Sequence, residues 1–112
     1  MKKRALLVGI NNYPGGSGLP PLQCAEQDAE TLAAVLARDC GFETRVLAGS
    51  EATRDAIETA LYVMGDAETF LFFFAGHGQL LHGNSYRLHP YDSQCFGQGT
   101  IPFADLGASG QA

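Results

Sequence analysis

Short unbroken apolar runs alternate along this chain with longer stretches whose apolar residues recur every three or four positions. Lys3 to Ile10 starts basic and continues as the run Ala5-Leu6-Leu7-Val8-Gly9-Ile10, a first strand. Phe70 to Phe74 places five large apolar residues in a row. Such a run has no polar face to offer water, so it reads as a strand buried on both faces, the kind found in parallel sheets under helices. Phe42 to Leu47 reads as a weaker strand. Between these runs the period changes. From about Cys24 to Asp39, Ala25, Ala29, Leu32, Ala33 and Leu36 fall on one helical stripe, and Gly41 is placed to stop that helix. Ile57, Ala60, Leu61 and Met64 make a second stripe, with Ser50 or Thr53 as its cap and Gly65-Asp66 as its close. Strand, helix, strand, helix, strand predicts an α/β fold with a parallel sheet and right-handed crossovers.

Beyond this core the pattern breaks up. Leu80 to Leu88 suggests a hairpin turning around Gly83-Asn84. Pro90 to Gly99 is irregular and polar, Ile101 to Leu106 starts one further element, and Gly107 to Ala112 has nothing to build a core with. The expectation is one domain over residues 1–106 and a disordered tail over 107–112.

Composition narrows the partners. The chain has 112 residues, enough for one core, and its net charge of −5 leaves Lys2-Lys3-Arg4 as the sole basic cluster. A nucleic-acid partner is therefore not expected. Ala5 to Ile10 is too short for a signal peptide or a membrane span, and Asn11-Asn12 follows it. Cys24, Cys40 and Cys95 are odd in number and lack metal-ligand spacing, so no disulfide framework or zinc site is expected and a reducing cytoplasm is the default. The loop Asn11 to Pro21 is glycine-rich, but it matches neither GxGxxG nor GxxxxGK[ST], which excludes nucleotide binding there.

Chemistry gathers where the Phe70–Phe74 run ends, in Ala75-Gly76-His77-Gly78. Ligand sites of open α/β sheets lie at the C-terminal ends of the strands. An imidazole there can take or give a proton near neutrality, and Gly76 and Gly78 leave room for a substrate backbone and for unusual dihedrals. By these residues alone, His77 is equally a plain loop histidine.

The segments together resemble the N-terminal part of the caspase-like cysteine peptidases, above all the bacterial metacaspase-like and orthocaspase-like members. The resemblance is carried by Ala5 to Tyr13, by Leu22 to Leu32 with its Asp28-Ala29 pair, by Gly41-Phe42-Glu43, and by Leu71 to Gly78. It implies a three-layer sandwich with a mainly parallel sheet, incomplete on its C-terminal side. It also implies a peptide or protein substrate, His77 as the catalytic histidine and Gly78 as a backbone donor to the oxyanion. Asp28 is implied as the acid of a pocket for Arg or Lys; its other reading is a helix-start carboxylate.

One departure is decisive for activity. Caspase signatures put the nucleophilic Cys roughly 50 residues after the His, which from His77 falls beyond Ala112. No Asp-x-Cys-x-Ser-Gly-like segment occurs, and the surroundings of Cys95 do not follow a buried strand. The expectation is a peptidase unit that supplies the histidine and meets its nucleophile elsewhere, inactive as this chain alone. Its rival is an inactive interaction module pairing with a missing half or with a second copy of itself. A receiver-like or flavodoxin-like domain ranks last, because neither an acidic cluster nor a phosphate loop follows the first strand. Asp92 is a single candidate ligand for calcium, and one carboxylate does not make such a site.

Overall fold

In the computed structural model, which describes residues 2–81, 85–93 and 100–102, the first strand is the axis of the molecule. This strand, β1 (Lys3–Gly9), lies between β2 (Glu43–Ala48) and β3 (Thr69–Ala75), all parallel, in the order β2-β1-β3. Strand side chains alternate between faces, and here each face has its own helix. Leu6 and Val8 pack with Ile57, Ala60 and Met64 of α2 (Arg54–Met64). Ala5 and Leu7 pack with Ala29, Ala33 and Leu36 of α1 (Ala25–Asp39). Helix, sheet and helix form the three expected layers, and both apolar stripes face inward. Leu32 and Leu61 sit at the margins, partly buried.

Local chemistry sets the ends of these elements. Thr53 caps α2, its hydroxyl accepting from Ala56 N–H at 3.2 Å, while Ser50 belongs to a short 3-10 turn at Gly49–Glu51. Gly41 leaves α1 at φ +74°, a backbone conformation that a Cβ resists. Gly9 is required for another reason: a Cβ there would stand 2.5 Å from the carbonyl oxygen of Ala25. The end of β1 thus touches the start of α1. Two reciprocal bonds lock that junction, Asn11 N–H to the Glu26 carboxylate at 3.0 Å and Glu26 N–H to Asn11 Oδ1 at 3.1 Å.

Two features refine the expected layering. The Phe70–Phe74 run, expected as a strand covered on both faces, lies at one edge of the described sheet. β3 has a single neighbour among the described residues, and every position of it is at least partly exposed, whereas Ala5 to Val8 of β1 have none of their surface exposed. Both faces of β3 are covered as expected, with Phe70, Phe72 and Phe74 toward the α2 cluster and Leu71 and Phe73 toward the α1 cluster. Its open edge is what admits water. An unbroken apolar pattern reports the layers above and below a strand, not the neighbours beside it.

The sheet is also wholly parallel, and the antiparallel strands form a second sheet of their own. In it β4 (Gly78–Leu81) pairs with β5 (Ser85–Leu88), and β5 with β6 (Ile101–Pro102). The hairpin is therefore as expected, although its turn residues Gly83 and Asn84 lie outside the described residues. So do Cys95 and the tail over 107–112. No helix among the described residues is long and apolar enough to cross a membrane.

Candidate active site

His77 sits where the two sheets meet, between the last residue of β3 and the first of β4. Its ring Nε2 lies 2.7 Å from the carbonyl oxygen of Pro20, in the loop joining β1 to α1. A carbonyl can only accept, so Nε2 must carry the proton. In the neutral ring the lone pair then resides on Nδ1, which has no hydrogen-bond partner among the described residues. A ring held in that tautomer can take a proton from a thiol, hydroxyl or water brought to Nδ1 and return it to a leaving group.

The backbone of His77 is held as closely as its ring. Tyr13, from the same loop as Pro20, is buried, and its hydroxyl accepts from His77 N–H at 3.0 Å and donates to the carbonyl of His89 at 2.8 Å. Its ring lies 5.4 Å from the His77 ring, tilted by 57°. Burial raises the phenol pKa to about 12, against a smaller lowering by the His77 N–H bond, so the hydroxyl keeps its proton across the working range. On its other side His89 N–H donates to the His77 carbonyl at 2.9 Å.

Gly76 corrects one expectation. It takes no left-handed φ, and the space beside it is not open for substrate. A Cβ there would stand 2.7 Å from the Tyr13 hydroxyl and 2.9 Å from the Phe74 ring. The glycine admits the tyrosine.

Gly78 is different. In an antiparallel ladder hydrogen-bonded pairs alternate with non-hydrogen-bonded ones. His89 N–H to His77 O makes the pair at 77 and 89 the bonded kind, so Gly78, opposite Leu88, belongs to the other kind. Its N–H points away from β5, toward the open edge of β4, and Gly78 is solvent-exposed.

His89 lies under the site, 2 % exposed, with Nδ1 2.8 Å from the hydroxyl of Ser93. Burial first, then the charges of His77 and Arg87, lowers its pKa. Asp92 nearby is already engaged, since its carboxylate accepts from Arg54 N–H at the start of α2, at 2.9 Å. No group of three or more His, Cys, Asp or Glu among the described residues could hold a metal ion.

Asp28 is exposed in the first turn of α1. Glu26 makes the helix-start bond, to Asn11, and the Asp28 carboxylate has no hydrogen bond or ion pair among the described residues. It lines a groove of about 570 Å³ with Cys24, Gln27, Leu32 and Phe73. That groove runs between α1 and β3, the strand that leads to His77. Cys24 and Cys40 are both exposed and unpaired with each other.

Over residues 2–102 the sequence matches the family model described as caspase domain. The chain belongs to the caspase domain family. A search of curated proteins finds no match. Membership makes this a caspase-like peptidase domain, and its parallel α/β core agrees with that class. The sequence gives no role to Tyr13 and no sign of the Pro20 carbonyl, because both contacts involve backbone atoms and join residues far apart in the chain.

Proposed function

We propose that this caspase-like domain is of the metacaspase or orthocaspase kind, a cysteine endopeptidase unit that cleaves after Arg or Lys. The observation that carries this reading is the bond from His77 Nε2–H to the Pro20 carbonyl, which leaves Nδ1 as a free base at the end of β3. His77 is the acid and base, Gly78 donates its N–H to the oxyanion, and Asp28 receives the basic side chain. The thiolate comes from a strand laid against the open edge of β3 rather than from Cys24 or Cys40.

In this scheme the thiol proton moves to His77 Nδ1 and the sulfur attacks the scissile carbonyl carbon. The carbonyl electron pair moves to oxygen, where the Gly78 N–H meets the negative charge. As the tetrahedral centre collapses, the C–N bond breaks and Nδ1–H protonates the departing amine. Water then hydrolyses the thioester, with His77 taking its proton.

The specificity test is Asp28→Ala in an active form of the domain. Loss of a charge-assisted hydrogen bond to a basic side chain costs about 1.5–3 kcal/mol, so cleavage after Arg and Lys falls about 10- to 150-fold relative to cleavage after uncharged residues. Equal loss for basic and uncharged substrates leaves Asp28 as a helix-start carboxylate only.

The open edge of β3 favours a second reading, an inactive module that pairs with another chain. An unpaired strand edge offers free N–H and C=O groups to any strand that fits, and exchange between identical protomers is a low-cost route to a dimer. Sedimentation of the 112-residue chain at micromolar concentration is expected to give a dimer. A stable monomer with full helix and strand content excludes self-pairing.

A further inference from the structure

We propose that Tyr13 is a positioning residue for His77, its hydroxyl inserted as a wedge into the end of the β4–β5 ladder. The inference deepens the peptidase reading and rests on His77 being its acid and base. The register Gly78 to Leu88 and Gln79 to Arg87 makes His77 and His89 the next opposed pair. A complete hydrogen-bonded pair would exchange two bonds. One is made directly, His89 N–H to His77 O at 2.9 Å. The other, His77 N–H to His89 O, is replaced by a relay through Tyr13, whose hydroxyl accepts from His77 at 3.0 Å and donates to His89 at 2.8 Å.

The relay has three consequences. It ends direct pairing at His77, which keeps one ladder bond and yields the other to Tyr13, so the chain can pass there from β3 of the parallel sheet into the antiparallel one. It ties the His77 backbone to the loop that carries Pro20, whose carbonyl holds the His77 ring at 2.7 Å. The histidine is thus gripped twice by one loop, at its amide and at Nε2, and the loop cannot shift without moving both. It also accounts for Gly76, because any larger residue there meets the Tyr13 hydroxyl at 2.7 Å. A tyrosine needed only to fill space would not require its hydroxyl in both hydrogen-bonding roles at once.

Tyr13→Phe keeps the ring and removes the relay. The test is long-range proton–nitrogen NMR of the full 112-residue chain labelled with nitrogen-15 in histidine, with His77 assigned by His77→Gln. The original chain is expected to hold neutral His77 in the Nε2–H tautomer. In Tyr13→Phe the preference for that tautomer falls about fivefold, the weight of one ordinary hydrogen bond, while far-UV circular dichroism is unchanged. Amide exchange at His77 rises by a similar factor. A Tyr13→Phe chain that is folded and keeps the original tautomer ratio overturns the proposal. If that variant does not fold, an original chain with His77 in the Nδ1–H form overturns it, and one in the Nε2–H form with a protected His77 amide supports it. None of these readouts needs catalysis, so a failure here is distinct from failure of the peptidase reading, which is judged by turnover in His77→Ala.

Discussion

His77→Ala is expected to lower kcat/KM for peptides with Arg or Lys before the scissile bond by about 10²–10⁴, the usual share of a positioned acid and base. The measurement is made in an active form of this caspase-like domain. The 112-residue chain alone is expected to release no product above background. In the proposed mechanism Nδ1 acts on the transferring proton and not on the resting substrate, so the loss is expected in kcat more than in KM. His77 belongs to neither apolar core cluster, so His77→Ala is expected to remain folded, which far-UV circular dichroism checks. Near-normal turnover in His77→Ala removes the histidine from the site. Turnover by the chain alone that vanishes in Cys95→Ala makes Cys95 the nucleophile.

Leu6→Ala carries the largest expected cost in stability, about 2–5 kcal/mol for a buried leucine cut back to alanine in a packed core. Leu6 has none of its surface exposed and lies mid-strand in β1, opposite Arg45 of β2 and Phe72 of β3. Neighbours on both sides and α2 above leave the cavity little chance to close. Leu32→Ala removes the same atoms from the half-buried margin of α1 and is expected to cost well under half as much. Urea denaturation of the two variants checks the ranking, and similar midpoints would contradict the placing of the core around β1. The result bears on the site as well, since β1 delivers the loop with Tyr13 and Pro20 and pairs with the strand that delivers His77.

The five-residue run Phe70 to Phe74 was legible as a strand, and the stripes of α1 and α2 as helices, because local periodicity reports which sides of an element meet apolar neighbours. The alternation of these elements was enough for a parallel sheet between helices, since parallel strands need crossovers. His77 stood out because an imidazole between glycines at a strand end is a chemical feature of the sequence itself. Asp28 did not separate from Glu26 in this way. Two acids in the first turn of α1 look alike until Glu26 is seen bonded to Asn11.

What only the tertiary structure decided is how the strands lie side by side and what surrounds the histidine. Periodicity along a strand carries no information about its lateral neighbours, so the sequence could not distinguish the central β1 from the edge strand β3. The same limit hid how β6 joins the expected hairpin as a sheet of its own, separate from β1 to β3. At the site, the Pro20 carbonyl that sets the His77 tautomer and the Tyr13 hydroxyl that bridges His77 to His89 act across 57 and 64 residues of sequence. Contacts of that range arise from the closure of loops over a finished core. Sequence by itself determined the elements and the chemical group; folding chose which of its nitrogens holds the proton.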